Sequence, residues 1–172
     1  MPFPSAESEQ RQTASHDARQ LLRHTVATLA YRGGKAVANA PEEFAALRIG
    51  ATTRTPAEIL AHVGDLLDWA LWQARGEHRW HDSPPQPWPR NVQRFFDALA
   101  RLDEYLASDA PLGTGAGVIF QGPIADALTH VGQLTMLRRL AGSPVRGENY
   151  AKAEIRIGRV GAEQSARRVE FD

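Results

Sequence analysis

Apolar residues recur at three- and four-residue intervals in four stretches of this chain. The sharpest of these opens at "TPAE". Thr55 stands where a helix cap belongs. Pro56 takes the first helical position, where a missing N–H costs nothing. Glu58, three residues after the cap, completes a capping box. Ile59, Leu60, Val63, Leu66, Leu67, Ala70 and Leu71 follow at helical spacing, and Gly76 stops the helix after about Arg75.

The other three stretches are read the same way. "EQRQTASHDARQLLRHTVATLAYRGG" predicts a first helix carrying Ala18, Leu21, Leu22, Val26, Leu29 and Ala30, ended by Gly33 and Gly34. A connection follows, with a short helical turn after Pro41. The third helix runs from about Pro89 to Ser108 with Val92, Phe95, Phe96, Leu99, Leu102 and Leu106 on one face, the cleanest amphipathic pattern in the chain. The fourth starts near Gly117, is disturbed at "QGP" because Pro123 lacks an N–H, and presents Ile124, Ala127, Leu128, Val131, Leu134 and Leu137. Gly142 and Pro144 close it.

Four amphipathic helices and no convincing sheet predict an all-α fold, an antiparallel four-helix bundle. The whole of residues 1–172 is expected to form a single domain. Residues 1–8 should fray, and residues 145–172 should form an irregular tail packed on the bundle. The alternation in "EIRIGRV" suits a strand, but it has nothing to pair with.

Composition removes several classes of function. Twenty basic residues balance twenty acidic ones, so the formal net charge is zero and no field gathers nucleic acid or anionic membrane. Cysteine is absent, which excludes disulfides, thiolate ligands and a cysteine nucleophile. With no signal core and no uninterrupted apolar run of about 18 residues, the reading is a cytoplasmic soluble protein. Phosphate loops, dinucleotide fingerprints and hydrolase or zinc-protease motifs do not occur.

Two histidines lie on apolar helix faces. His62 falls between Ile59 and Leu66, and His130 falls between Ala127 and Leu134. Asp126 precedes His130 by one turn, about 5–6 Å away between Cβ atoms. Imidazoles and a carboxylate inside a bundle are a divalent-metal donor set. The plain alternatives are core histidines bonded to neighbours, and an early-helix acid favoured by the dipole. Asp65, three residues after His62, either orients that imidazole or lies on the surface. His16, His24, His78 and His81 are expected in solvent.

"TPAEILAHVGDLLDWAL" and "THVGQLTMLRRLAG", separated by one amphipathic helix, resemble the DinB-like (DinB/YfiT) metal-binding four-helix bundles over roughly residues 10–143. "GENYAKAEIRIGRVG" resembles a tail shared by a subset of them. The resemblance implies three metal ligands, typically all histidine: His62 matches the first and His130 the last. Asp126 occupies the middle position, where histidine is usual. It also implies a divalent transition metal (Zn, Ni, Fe or Mn), a homodimer, and metal-dependent thiol S-transfer or hydrolysis with a small thiol or water as nucleophile.

Any thiol must come from a cosubstrate. Gln133 and Tyr150 are outer candidates for substrate contact or for orienting a ligand, and Arg138 and Arg139 either bind an anionic substrate or suit the helix dipole. No residue is assigned a catalytic role. The alternatives are a non-enzymatic, stress-related or binding bundle whose metal site is degenerate or empty, and an oxygen-using non-haem iron enzyme suggested by two histidines and one carboxylate.

Overall fold

The computed structural model describes residues 6–171, and for residues 6–9, 11 and 12 the backbone only. The chain is mostly helical. Four long helices, α1 (Ala6–Val37), α2 (Pro56–Ala74), α3 (Trp88–Ala107) and α5 (Ala125–Leu140), carry the core. A short helix, α4 (Ala116–Ile119), runs through a π turn (Phe120–Ile124) into α5. Two short strands, β1 (Gly147–Glu148) and β2 (Glu170–Phe171), pair antiparallel.

The capping box of α2 forms as read. The Thr55 hydroxyl accepts from the Glu58 N–H, and the Thr55 N–H donates to the Glu58 carboxylate at 2.6 Å. After Pro41 the chain makes a 3-10 turn that buries Phe44, edge-on to Trp88. The irregularity expected at Pro123 is the π turn itself.

The first helix departs from expectation at both ends. Residues 6–8, expected to fray, are helical, while residues 1–5 lie outside the described residues. Gly33 and Gly34 do not stop α1, which runs on to Val37. They admit α3 instead: a Cβ at Gly33 would stand 2.5 Å from Phe95 Cζ, and one at Gly34 would stand 3.4 Å from Phe96 Cζ. The two rings thus pack on bare backbone.

Side-chain contacts fix the helix directions. Arg23 pairs with Asp103 and Arg19 donates to the carbonyls of Ser108 and Ala110, so α1 and α3 run antiparallel. Asn91 donates to Ala57 O, Arg94 to Ala61 O and Arg101 to Asp68, so α2 and α3 run the same way, where antiparallel neighbours were expected. The connection of residues 75–87 permits this. It can span roughly 40 Å when extended, against about 28 Å for the length of α2.

The tail has more order than expected. "EIRIGRV" is not a strand; the pairing comes from residues before and after it. A buried polar network ties both strands to α1. The Tyr31 hydroxyl donates to Glu148 at 2.6 Å, and Lys35 pairs with Glu148 at 3.0 Å and with Glu170 at 2.5 Å. No helix among the described residues is long and apolar enough to cross a membrane.

Candidate metal centre

Helices α2 and α5 lie against each other, and their facing positions bring His62, Asp126 and His130 together. One donor atom from each lies within 4.8 Å of the other two. His62 Nε2 is 3.9 Å from Asp126 Oδ2, and His130 Nε2 is 3.5 Å from Asp126 Oδ1. The two imidazoles meet edge to face, with centroids 4.9 Å apart. The His62 and His130 side chains are 20% and 12% exposed, while Asp126 is 48% exposed, so the carboxylate forms the solvent side of the set.

These separations are informative. They are too long for direct hydrogen bonds, which run about 2.7–3.2 Å when nitrogen donates. They are close to the spacing of donors around one tetrahedral ion, roughly 3.3–3.6 Å for bonds of about 2.0–2.2 Å. Among the described residues, the ion-pair partners of Asp126 are these two rings and no lysine or arginine.

The local chemistry keeps lone pairs available. Gln133, one turn after His130, places Oε1 2.8 Å from His130 Nδ1. In the neutral ring, the tautomer that donates Nδ1–H there has its Nε2 lone pair facing Asp126. His62 has its pKa pushed down, chiefly by burial and then by its neighbours His130 and Arg54, against the opposing pull of Asp126 and Asp65. Trp80 stands edge-on to both His62 and Trp69, at 5.7 Å in each case, and walls the set on the loop side.

A second group of donors lies close by and is differently furnished. Asp65, Asp68 and His81 also lie within 4.8 Å of one another. Here Arg94 donates to Asp65 at 2.5 Å and to Asp68 at 3.1 Å, and Arg101 donates to Asp68 at 2.8 Å. His81 Nε2 and the Ser83 N–H complete the shell of Asp65, at 2.8 and 2.9 Å. Burial pushes the Asp65 carboxyl up, but the Ser83 N–H and Arg94 outweigh it and hold it below the usual range. Gly64 makes the arrangement possible, since a Cβ there would meet the Arg94 guanidinium at 2.9 Å.

The structure therefore relocates several expected residues. Asp65 does not hold His62; it is 2% exposed and committed to Arg94, Ser83 and His81. Tyr150 stands apart from the three ligand candidates, edge-on to Tyr31 and under the guanidinium of Arg32. Arg138 is 5% exposed and donates to the carbonyls of Ala36, Ala38 and Ser143, which caps α1 and leaves it unavailable to a substrate. His81 is partnered rather than free in solvent. Its contact with Asp65 crosses a proline-rich loop, and sequence spacing carries no signal for it. Comparison of the chain with family models, with curated proteins and with solved structures yields no match in any of the three.

Proposed function

We propose that this chain is a divalent-metal-binding four-helix bundle of the DinB-like kind, with His62 Nε2, His130 Nε2 and the Asp126 carboxylate as protein ligands. The observation that carries this reading is the spacing of the three donors. They converge from two helices, they are too far apart to bond one another directly, and among the described residues no arginine or lysine pairs with the carboxylate. The same spacing counts against a hydrogen-bonded polar cluster, which is the non-enzymatic alternative.

A divalent cation at this position supplies Lewis acidity, which makes a water or thiol nucleophilic near neutral pH. The residues supply the rest. Burial disfavours the protonated form of His62 and so favours the ligating one. Gln133 Oε1, 2.8 Å from His130 Nδ1, favours the tautomer that offers Nε2. Asp126 adds negative charge and a hard oxygen, which favours Zn, Fe, Mn or Ni over softer ions. Trp69 and Trp80 limit water on the loop side. With no cysteine in the chain, a thiol in the reaction arrives as a cosubstrate. We assign the reaction to metal-dependent transfer to a small thiol, or to hydrolysis, in a homodimer.

The deciding measurement is elemental analysis of protein prepared without a metal-affinity tag. The expected result is near one equivalent of a transition metal per chain, or uptake of one equivalent of Zn²⁺ on reconstitution. A folded protein that takes up none overturns the reading.

A further inference from the structure

A cleft of about 490 Å³ opens beside His130, between the segment leading into α2 and the exposed side of α5. Its walls include Arg54, Ile59, His130, Gln133, Met136 and Leu137. Small-molecule sites run about 300–1,000 Å³ and are mostly apolar with a few polar groups placed to orient the ligand. This cleft has that character. Ile59 and Leu137 extend the core into its wall. Met136 is 58% exposed and offers an adaptable thioether.

Among the described residues, Arg54 is the one arginine or lysine in that wall. It is exposed, and among the described residues no ion pair or hydrogen bond engages its guanidinium. Glu58, on the first turn of α2, is already held by Arg48 at 3.2 Å and by the Thr55 N–H at 2.6 Å. Among the described residues, no carboxylate lines the cleft. The smaller cleft on the His62 side, which Arg54 also borders, is the more acidic of the two: Asp82 lines it along with Glu58 and Asp65, which Arg48 and Arg94 already pair. An anion drawn to Arg54 is therefore directed to the apolar side, where His130 forms part of the wall.

We propose that this cleft binds an amphiphilic oxyanion: a small molecule whose carboxylate or phosphate pairs with Arg54, whose apolar stretch lies on Ile59, Met136 and Leu137, and whose reacting end points toward His130. The position of the reacting end rests on the metal-binding reading; the pairing with Arg54 does not. A guanidinium matches either oxyanion through paired N–H donors.

Octanoate and octan-1-ol, titrated by calorimetry into the full chain with and without Zn²⁺, test the proposal. Octanoate should bind saturably in both forms. Arg54→Gln should weaken octanoate roughly 10-fold, as expected for loss of one charge-assisted contact, and leave octan-1-ol unchanged. Met136→Asp should weaken both. Zinc uptake by Arg54→Gln should equal that of the unaltered chain. Equal octanoate affinity in Arg54→Gln, or no saturable octanoate binding in either form, overturns the proposal. A chain that takes up no zinc yet binds octanoate through Arg54 defeats the metal reading and leaves this one standing.

Discussion

Two groups of acids and histidines gather around neighbouring turns of α2, one completed by α5 and the other by the loop that follows α2, and they have opposite electrostatic fates. Asp65, Asp68 and His81 are closed by Arg94 and Arg101, which occupy the places a cation would take. Among the described residues, His62, Asp126 and His130 have no such guanidinium, and their donors stand apart. Both sets pass a test of donor type and proximity. What separates them is whether the negative charge is already balanced by the protein itself. A metal at the first group must displace two arginines, whereas at the second it finds the carboxylate uncompensated.

The contrast can be broken most forcefully at Arg94. Arg94→Met leaves Asp65, 2% exposed, without its guanidinium; breaking a buried pair this way costs about 3 kcal/mol. Urea denaturation should show that loss, and a loss under about 1 kcal/mol would mean Arg94 does not close the group. Next in size is the metal itself. His130→Ala should weaken Zn²⁺ binding at least ~100-fold with helix content retained, whereas His81→Ala should leave it unchanged, as read by competition with a chromophoric chelator. Equal losses in the two variants would erase the distinction between the groups.

A smaller effect is expected at Gln133. Gln133→Ala frees the His130 tautomer and should cost metal affinity roughly 10-fold, the low end for a partner that orients a ligand. The smallest effect is on pH dependence. The His62 pKa in the folded chain lies below its usual value of 6.5. The unfolded chain therefore takes up the proton first, and stability contributed by neutral His62 falls as pH drops below about 6.5. His62→Gln should flatten that dependence in denaturation series at several pH values. A His62 proton resonance titrating at or above 6.5 in the metal-free protein would contradict the burial argument.

Much of the helical framework was legible because its signals are local. Thr55, Pro56 and Glu58 write the start of α2 within four residues, and Pro123 marks the irregularity before α5. Glycine was misread where its reason is tertiary. Gly33 carries no local sign that Phe95 will press on it. The ligand candidates were legible for the same reason as the helices: His62 and His130 stand on apolar faces, and Asp126 is one turn from His130. The closed group was not, since Asp65 meets His81 and Arg94 only after the proline-rich loop folds back. Direction along the chain was likewise hidden. Nothing in the loop's composition says that α3 sets off parallel to α2.

The π turn before α5 acts as a phase adjuster. Ile119 and Ile124 are both fully buried although they stand five residues apart. On an uninterrupted α-helix that spacing would turn them about 140° away from each other. The wide turn at Phe120–Ile124 absorbs the surplus residue. It lets α4 bury Ile119 while α5 aims Asp126 and His130 at α2. Shortening the turn by one residue would set these two demands against each other, so the aim of the ligand candidates is geared to a backbone irregularity that contains none of them.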